Sequence, residues 1–266
     1  MLDQARGQSS RRRHCLDLSD YSRQEIEQVL ETTEAMREIL NRPIKRTPAL
    51  RGKTVVNCFY EASTRTRVSF EVAAKNLSAD VVNFSAGGSS VEKGESLIDT
   101  ARTLVALGAD VLVVRHPMAG APHVVARNAD VRVINAGDGR HAHPTQAMLD
   151  LYTMRGKLGQ LEGKAIAIVG DVLHSRVARS NIHGLVRMGA EVIVCGPATL
   201  LPGRLEVNGL SFEHSLDALL PHVDVVMPLR IQKERALAGL IPSLREYRAR
   251  YGMTAERLRR LKPGAL

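Results

Sequence analysis

Apolar residues recur along this chain with two alternating periods, one helical and one typical of buried strands. The S-x-x-E capping box at Ser22 and Glu25 starts the first helical stripe, which continues to about Leu40. The β-branched run Thr54–Phe59 predicts a short buried strand. The alternation then predicts strands at 80–84, 111–114, 131–135, 165–169, 191–195 and 223–227, helices at 66–77, 95–107, 144–157, 176–188 and 216–220, and helical pieces near 241–250 and 254–261.

Such alternation is typical of parallel sheets covered by helices on both faces. The helix that starts at Pro144, with proline in its first turn, divides the pattern into two similar halves. We therefore predict an α/β fold with two doubly wound parallel-sheet domains, 1–143 and 144–266, joined by this helix. Ligands of such sheets bind at the carboxyl ends of the strands, so residues that directly follow strands are the candidates for chemistry.

Composition limits the classes of protein that fit. The chain has 266 residues, of which 44% are hydrophobic and 24% charged, as in a folded globular protein. No apolar run has the length of a membrane span, and the first thirty residues contain no signal-peptide core. Cys15, Cys58 and Cys195 are too few and too far apart for a disulfide framework or a paired metal site, so we expect a protein of the reducing cytoplasm.

The formal charge of +9 suggests nucleic acid as a partner, but its distribution does not. Residues 1–13 hold four Arg and one Asp, a net +3, and residues 241–266 hold six Arg, one Lys and two Glu, a net +5. These two ends carry +8 of the +9, so the middle of the chain is almost neutral. With five Tyr, four Phe and no Trp, a stacking platform for bases is not indicated. We expect neither nucleic acid nor a membrane as a partner.

The first candidate site follows the strand Thr54–Phe59, where Ser63, Thr64, Arg65 and Thr66 stand at a helix start. A helix start offers unpaired backbone N–H groups and the positive end of the helix dipole. Hydroxyls and a guanidinium add further donors, so this segment could cradle a phosphate without glycines. Hydroxyls that only cap the helix, beside solvated arginines, fit the local spacing equally well.

Three further groups follow strands in the first half. The Gly/Ser loop that contains Ser89 and Lys93 could close over an anion, although most such loops are mobile surface. Arg115 ends a strand, where its guanidinium can point into a cleft, and His143 and Gln146 lie at a helix start. The imidazole can donate to an oxygen that gains negative charge, or it can cap or pack the helix. Because no H-x-x-H pattern or cysteine pair accompanies it, we expect no metal.

In the second half, Arg176 lies at a helix start. The segment before it has one glycine where a dinucleotide fingerprint needs three, which disfavours NAD and FAD. Arg230 and Gln232 follow the last clear strand and can face one side of an extended loop, although a solvated charged loop is the commoner outcome. Cationic and hydroxyl groups thus follow at least four strands, which favours an enzyme that binds anions and stabilises charge without a covalent intermediate or a cofactor.

The order of these motifs resembles the catalytic chains of the aspartate carbamoyltransferase family. The similar segments are FYEASTRTRVSFE, SSVEKGES, RHP, NAGDG followed by HPTQ, GDVLHSR and LRIQKER, and the resemblance runs from about Leu16 to the last residue. The ornithine enzymes share STRTR and HPxQ but carry a cysteine-containing motif in the region of Arg230-Ile231-Gln232. An arginine there suits the side-chain carboxylate of aspartate and would repel the ammonium of ornithine.

The resemblance implies transfer of the carbamoyl group of carbamoyl phosphate to L-aspartate, in pyrimidine biosynthesis. It implies that Thr66, Arg115 and His143 contact the carbamoyl oxygen as catalytic residues and that Gln146 holds the carbamoyl NH₂ group. The implied carbamoyl-phosphate site is Ser63, Thr64, Arg65, Thr66, Arg115, His143 and Gln146, and the implied aspartate site is Lys93, Arg176, Arg230 and Gln232. Ser89 and Lys93 would come from a neighbouring subunit, which implies a homotrimer with shared active sites.

The chain departs from the family pattern after Lys262-Pro263-Gly264. A strand, a His-Pro-x-Pro loop and a terminal helix follow there in the family, so we expect a C-terminally incomplete second domain with limited activity. Two alternatives stay open: a carbamoyltransferase for another acidic amine, and a catalytically weak or silent homologue that acts as an assembly or regulatory partner. A regulatory chain or a dihydroorotase as a further partner also stays open.

Overall fold

The computed structural model describes residues 12–85, 94–203, 207, 209–231, 240–241 and 243–266. In this part of the chain the strands form two four-stranded parallel sheets, and helices flank both sheets. The predicted α/β fold with two parallel sheets is therefore confirmed. No helix among the described residues combines the length and the apolar character that crossing a membrane requires.

The first sheet contains the strands of the first half in the order β2-β1-β3-β4. These strands are β1 (Thr54–Phe59), β2 (Asp80–Ser85), β3 (Val111–His116) and β4 (Arg132–Asp138). The helices of this half are α1 (Arg23–Leu40), α2 (Thr64–Asn76), α3 (Leu97–Ala106) and α4 (Ala121–Asn128), and a 3-10 turn at Pro48–Leu50 precedes β1. The predicted capping box starts α1, since Ser22 and Glu25 each accept a hydrogen bond from the other's backbone N–H.

The second sheet has the order β7-β6-β5-β8, and α5 (Pro144–Leu158) connects the two sheets along the chain. Its strands are β5 (Ala165–Val169), β6 (Glu191–Cys195), β7 (Leu210–Glu213) and β8 (Val225–Pro228). Among the described residues of this half, the helices are α6 (Arg176–Arg187), α7 (Leu216–Leu219), α8 (Leu244–Tyr251) and α9 (Ala255–Leu258), with a 3-10 turn at Ala198–Leu200.

Two elements that were not predicted and one earlier helix start are among the local differences between the predicted and observed elements. The apolar pattern does not predict α4, which is short and carries a proline in its first turn, or β7, whose residues are only partly buried. α2 starts at Thr64, two residues earlier than predicted, because Ser63 takes the N-cap position. Thr64, Arg65 and Thr66 therefore form the first helical turn, where backbone N–H groups have no partner within the helix.

Each sheet changes its winding direction at one pair of neighbouring strands. In the first sheet this pair is β1 and β3, because the chain leaves β1 toward β2 on one side and returns to β3 on the other. In the second sheet it is β5 and β8. Ligands of open α/β sheets bind in the crevice beyond the carboxyl ends of such a pair. The topology thus places the segments after these four strands at binding crevices.

The largest hydrophobic cluster joins elements from both halves of the sequence. It contains Ile26 and Leu30 of α1 together with Leu151 of α5, Ile166 of β5 and Leu185 of α6, and all five side chains are fully or almost fully buried. Burial of aliphatic side chains on this scale is the main stabilising contribution to a domain. The domain boundary at residues 143 and 144 stays a prediction, because this cluster is shared by elements on both sides of it.

Candidate active site

A cavity of about 680 Å³ lies at the carboxyl ends of the two sheets. Its walls come from the carboxyl end of β3 and from segments that follow β1, β4, β5 and β8. Eight of the predicted site residues line it: Ser63, Arg65, Thr66, Arg115, His143, Gln146, Arg176 and Arg230. Thr64 is not among the lining residues, and Ser89, Lys93 and Gln232 lie outside the described part of the chain.

The N-terminus of α2 faces this cavity without a side-chain cap. Ser63 is the N-cap residue, but its hydroxyl accepts no hydrogen bond from the first turn of the helix. Ser63, Arg65 and Thr66 line the cavity instead. Since the hydroxyl of Ser63 does not serve the helix, the arrangement favours the anion cradle over the capping alternative.

Two guanidinium groups share one carboxylate inside the cavity. Arg115 Nη2 donates to Glu61 Oε1 at 2.8 Å, and Arg176 donates to Oε1 and Oε2 at 2.9 and 3.1 Å. Burial alone would raise the pKa of Glu61, but the hydrogen bonds and charges of Arg176 and Arg115 outweigh it, so this pKa lies below its usual value. Burial, and then the positive charge of Arg176, lower the pKa of Arg115. The two cations are thus held together by a single negative charge.

Gly137 allows both guanidiniums to approach the backbone. Its φ is +112°, and a Cβ atom there would lie 3.0 Å from Arg176 Cζ and 3.1 Å from Arg115 Nη1. Arg115 Nη1 also donates to the Ala136 carbonyl at 3.1 Å, and Arg176 Nη1 donates to the Gly139 carbonyl at 3.2 Å. A side chain at position 137 would therefore strain the backbone and push both cations away from these contacts.

His143 presents a neutral imidazole. It is the N-cap residue of α5, but its side chain does not cap the helix, and it is only 8% exposed. Burial, followed by the charges of Arg176 and Arg115, lowers the pKa of His143 to about 3. Thr145 Oγ1 lies 3.4 Å from His143 Nδ1, and a hydroxyl that donates to Nδ1 leaves the proton on Nε2. The ring can then act as an uncharged hydrogen-bond donor.

Three ionisable residues that also line the cavity, Glu61, Asp171 and His174, were not predicted from the sequence. Asp171 Oδ1 accepts hydrogen bonds from His174 Nδ1 at 2.7 Å and from its backbone N–H at 3.2 Å. The sequence contains two features that indicate these residues. Glu61 lies inside the STRTR-containing motif, and Asp171 and His174 lie three positions apart after β5. Neither signal identifies a partner for Glu61, because its arginines lie 54 and 115 positions away in the sequence.

One group of side chains in the described structure could hold a metal ion. His123, Asp138 and His141 offer ligand atoms that all lie within 4.8 Å of one another. His141, however, bridges two carboxylates, with Nε2 3.1 Å from Asp17 and Nδ1 3.0 Å from Asp138. Hydrogen bonds that the ring donates to both carboxylates raise the pKa of His141 to about 10. A metal would have to displace a proton that the His141 ring shares with a carboxylate, so we interpret the group as a hydrogen-bonded ionic cluster.

Comparison with protein families and characterised proteins finds close relatives. Residues 13–156 match the family model described as aspartate/ornithine carbamoyltransferase, carbamoyl-P binding domain. The aspartate carbamoyltransferase catalytic subunit of Chloroflexus aurantiacus is 60% identical over 259 residues, which cover 96% of this chain and 84% of that protein. The corresponding subunit of Pelotomaculum thermopropionicum is 57% identical over 251 residues, covering 94% and 81%.

Solved structures with the same fold carry related names. Aspartate transcarbamoylase from Trypanosoma cruzi, in complex with carbamoyl phosphate and aspartate, matches with a TM-score of 0.85 and 31% identity, covering 96% of this chain and 84% of that one. The catalytic subunit of M. jannaschii aspartate transcarbamoylase matches with a TM-score of 0.76 and 39% identity, covering 90% and 78%.

Proposed function

Because this chain belongs to the aspartate/ornithine carbamoyltransferase family, we propose that it transfers the carbamoyl group of carbamoyl phosphate to the amine of L-aspartate. The products are N-carbamoyl-L-aspartate and phosphate. The observation that carries the proposal is the cavity at the two sheet ends, where the N-terminus of α2, Arg115, His143, Arg176 and Arg230 face one space. Two anionic substrates require this many cations and helix N–H donors if they are to be held side by side.

Carbamoyl phosphate binds on the side of the first sheet. Its phosphate lies at the N-terminus of α2, with Ser63, Thr64, Arg65 and Thr66 as partners. Its carbamoyl oxygen is held by Thr66, Arg115 and His143. The neutral state of His143 and the uncapped start of α2 support this placement, because both leave donors available for an incoming anion.

Aspartate binds on the side of the second sheet. Arg176 at the start of α6 pairs with its α-carboxylate, and Arg230 and Gln232 after β8 pair with its side-chain carboxylate. Arg176 already shares Glu61 with Arg115, so bound aspartate adds negative charge to a pair of cations that one carboxylate only half neutralises. A second acidic group at this point relieves the repulsion between the guanidiniums.

The chemical step follows from these positions. The neutral amine of aspartate attacks the carbamoyl carbon, and negative charge grows on the carbonyl oxygen between the donors of Thr66, Arg115 and His143. The carbon–oxygen bond to phosphate then breaks, phosphate leaves with the bonding electrons, and one of its oxygens takes the proton released by the amine. The protein supplies orientation and charge stabilisation and forms no covalent bond to the carbamoyl group.

The finer assignments extend this proposal. The enzyme works in pyrimidine biosynthesis in the cytoplasm and assembles as a homotrimer, in which Ser89 and Lys93 of one subunit complete the neighbour's site. Mixing two inactive variants, Arg115→Ala and Lys93→Ala, tests the shared site. Hybrid trimers contain some sites with both intact residues, so activity should return on mixing. Failure to regain activity in mixed trimers of confirmed composition would place Lys93 outside the neighbour's site.

A product assay tests the function itself. The chain is incubated with carbamoyl phosphate and L-aspartate, and carbamoyl-aspartate and phosphate are measured together. We expect equal amounts of the two products and no carbamoyl transfer when L-ornithine replaces aspartate. Phosphate release without carbamoyl-aspartate, or preference for another acidic amine, would contradict the proposal. A folded chain that binds both substrates without turnover would favour the catalytically silent alternative.

A further inference from the structure

Gln146 is tied to a carboxylate one helical turn away. Its Nε2 donates to Asp150 Oδ1 at 3.0 Å, an i,i+4 contact within α5. The other oxygen of Asp150, Oδ2, accepts from Asn181 Nδ2 of α6 at 2.7 Å. Asp150 thus joins two amide side chains from two packed helices, and Gln146 is the member of this chain that lines the cavity.

The carboxylate of Asp150 determines which end of the Gln146 amide it meets. Burial raises the pKa of Asp150, and the hydrogen bonds from Asn181 and Gln146 oppose this rise by favouring the charged form. A carboxylate only accepts hydrogen bonds, so it attracts the NH₂ end of the amide and repels its oxygen. Gln146 lines the cavity, so with its nitrogen held at Asp150 the oxygen Oε1 is the end of the amide left to accept a hydrogen bond from a ligand there. The amide nitrogen of Gln146 has a second hydrogen, but this hydrogen does not change the orientation of the amide, because the contact with Asp150 already fixes it.

The orientation of Asp150 is in turn fixed from α6. Asn181 is fully buried, and its Nδ2 donates both to Asp150 and to the Val177 carbonyl of its own helix at 3.1 Å. Its Oδ1 is buried without a hydrogen-bond partner, so a flipped Asn181 amide would give up both donated bonds. The backbone of α6 thus fixes the orientation of the Asn181 amide. This amide orients the carboxylate of Asp150, and the carboxylate orients the amide of Gln146.

We propose that Asp150 is a positioning residue that makes the site select acyl phosphates bearing an N–H donor. The inference rests on the proposed function, in which Gln146 holds the carbamoyl NH₂ group. The amide oxygen of Gln146 accepts a hydrogen bond from that NH₂ group. Acetyl phosphate carries a methyl group in place of the NH₂ group and leaves the acceptor of Gln146 unpaired. The resulting loss of binding free energy is larger than in a site whose amide can rotate freely.

The test compares the two acyl phosphates as ligands. Dissociation constants of carbamoyl phosphate and of acetyl phosphate are measured by calorimetry for the wild type and for Asp150→Asn. The asparagine keeps the size of the side chain but can donate as well as accept, so Gln146 can turn its NH₂ group toward the cavity. We expect the preference for carbamoyl phosphate to fall at least tenfold, with less than a threefold change in the KM for aspartate.

A double-mutant cycle separates positioning from general structure. Gln146→Ala should lose the same preference, and adding Asp150→Asn to it should cause no further loss, because Asp150 acts through Gln146. An additive loss, or an unchanged preference in folded Asp150→Asn, would overturn the inference. If Asp150→Asn does not fold, Asn181→Ala provides the test, since it frees Asp150 Oδ2 and should lower the preference at least threefold; an unchanged preference would be equally decisive.

The binding readout keeps the two proposals distinguishable. A chain that binds carbamoyl phosphate but forms no carbamoyl-aspartate would contradict the proposed function and would still test Asp150 through the ratio of dissociation constants. A chain that turns over both substrates but shows no change of preference in Asp150→Asn would contradict only the role of Asp150. A chain that does not bind carbamoyl phosphate would overturn both.

Discussion

Glu61 binds Arg176 through both carboxylate oxygens, at 2.9 and 3.1 Å, although 115 positions separate the two residues in the sequence. Glu61 follows β1 of the first sheet, and Arg176 opens α6 of the second half. The pair therefore connects the two walls of the cavity. Because Arg115 donates to the same Oε1 atom, Glu61 also balances the charge that keeps the two guanidiniums close together.

Replacing Glu61 by Gln should disorder this pair of cations. The amide keeps the shape but removes the negative charge between Arg115 and Arg176, so the guanidiniums repel each other and leave their positions. We expect kcat/KM for aspartate to fall about 100-fold, the loss typical of a misplaced substrate-positioning group. Glu71→Gln is the matched control: Glu71 lies on α2, pairs with Lys75 and does not line the cavity. A similar loss in both variants would contradict the role of Glu61.

Arg115→Ala should depress kcat much more than it raises either KM. Its guanidinium is placed to stabilise charge that develops on the carbamoyl oxygen only during the reaction, and loss of one such donor costs about 100- to 1000-fold in kcat. Steady-state kinetics at saturating concentrations of both substrates measure the effect. A variant in which KM rises while kcat stays unchanged would assign Arg115 to ground-state binding alone.

Arg230→Ala should weaken the binding of aspartate and leave the binding of carbamoyl phosphate unchanged. Loss of a charge-assisted hydrogen bond to a carboxylate corresponds to an increase of about 10- to 100-fold in the KM for aspartate. Arg248→Ala, which removes an exposed arginine of α8, provides the control. Unchanged aspartate saturation in Arg230→Ala would remove this residue from the aspartate site.

Gly137→Ala should strongly reduce activity because it displaces two cations. The new Cβ would sit about 3 Å from the guanidinium of Arg176 and from that of Arg115. Gly108→Ala is the control, because Gly108 has a similar φ of +97° and no atom lies within 4 Å of the place that its Cβ would take. Both variants carry a backbone cost of about 1–3 kcal/mol. Only Gly137→Ala should also lose about 100-fold in kcat/KM. Equal activities of the two variants would show that backbone strain alone, and not displacement of the guanidinium groups, determines the effect on activity.

His141 should make stability depend on pH at alkaline values. Its folded pKa of about 10 lies above its unfolded value, so the stabilisation is complete below about pH 6.5 and is lost as the pH rises through 10. The difference in unfolding free energy between wild type and His141→Gln should therefore shrink between pH 6.5 and pH 10. A constant difference for His141→Gln would mean that the ring is neutral between Asp17 and Asp138.

The local elements of the fold could be predicted because their signals are local. β1, β5 and β6 have the predicted bounds, and the capping box at Ser22 and Glu25 starts α1 as expected. A β-branched run or a cap acts over a few residues, so its pattern is complete in the sequence. α4 has eight residues and β7 has four, and such short segments are difficult to recognise, because helical periodicity is read over a window of about 11–18 residues.

The same distinction between local signals and long-range contacts applies to the candidate site. The sequence by itself determined that cations and hydroxyls follow the strands, and parallel topology carries such residues to one end of each sheet. Only the tertiary structure decided which distant polar groups meet: Glu61 with Arg115 and Arg176, Asp17 with His141, and Asp150 with Asn181. Electrostatic and hydrogen-bond energies depend on distance and burial, and both are determined when distant segments pack together. The sequence therefore shows which residues are charged, whereas the fold determines which of them interact.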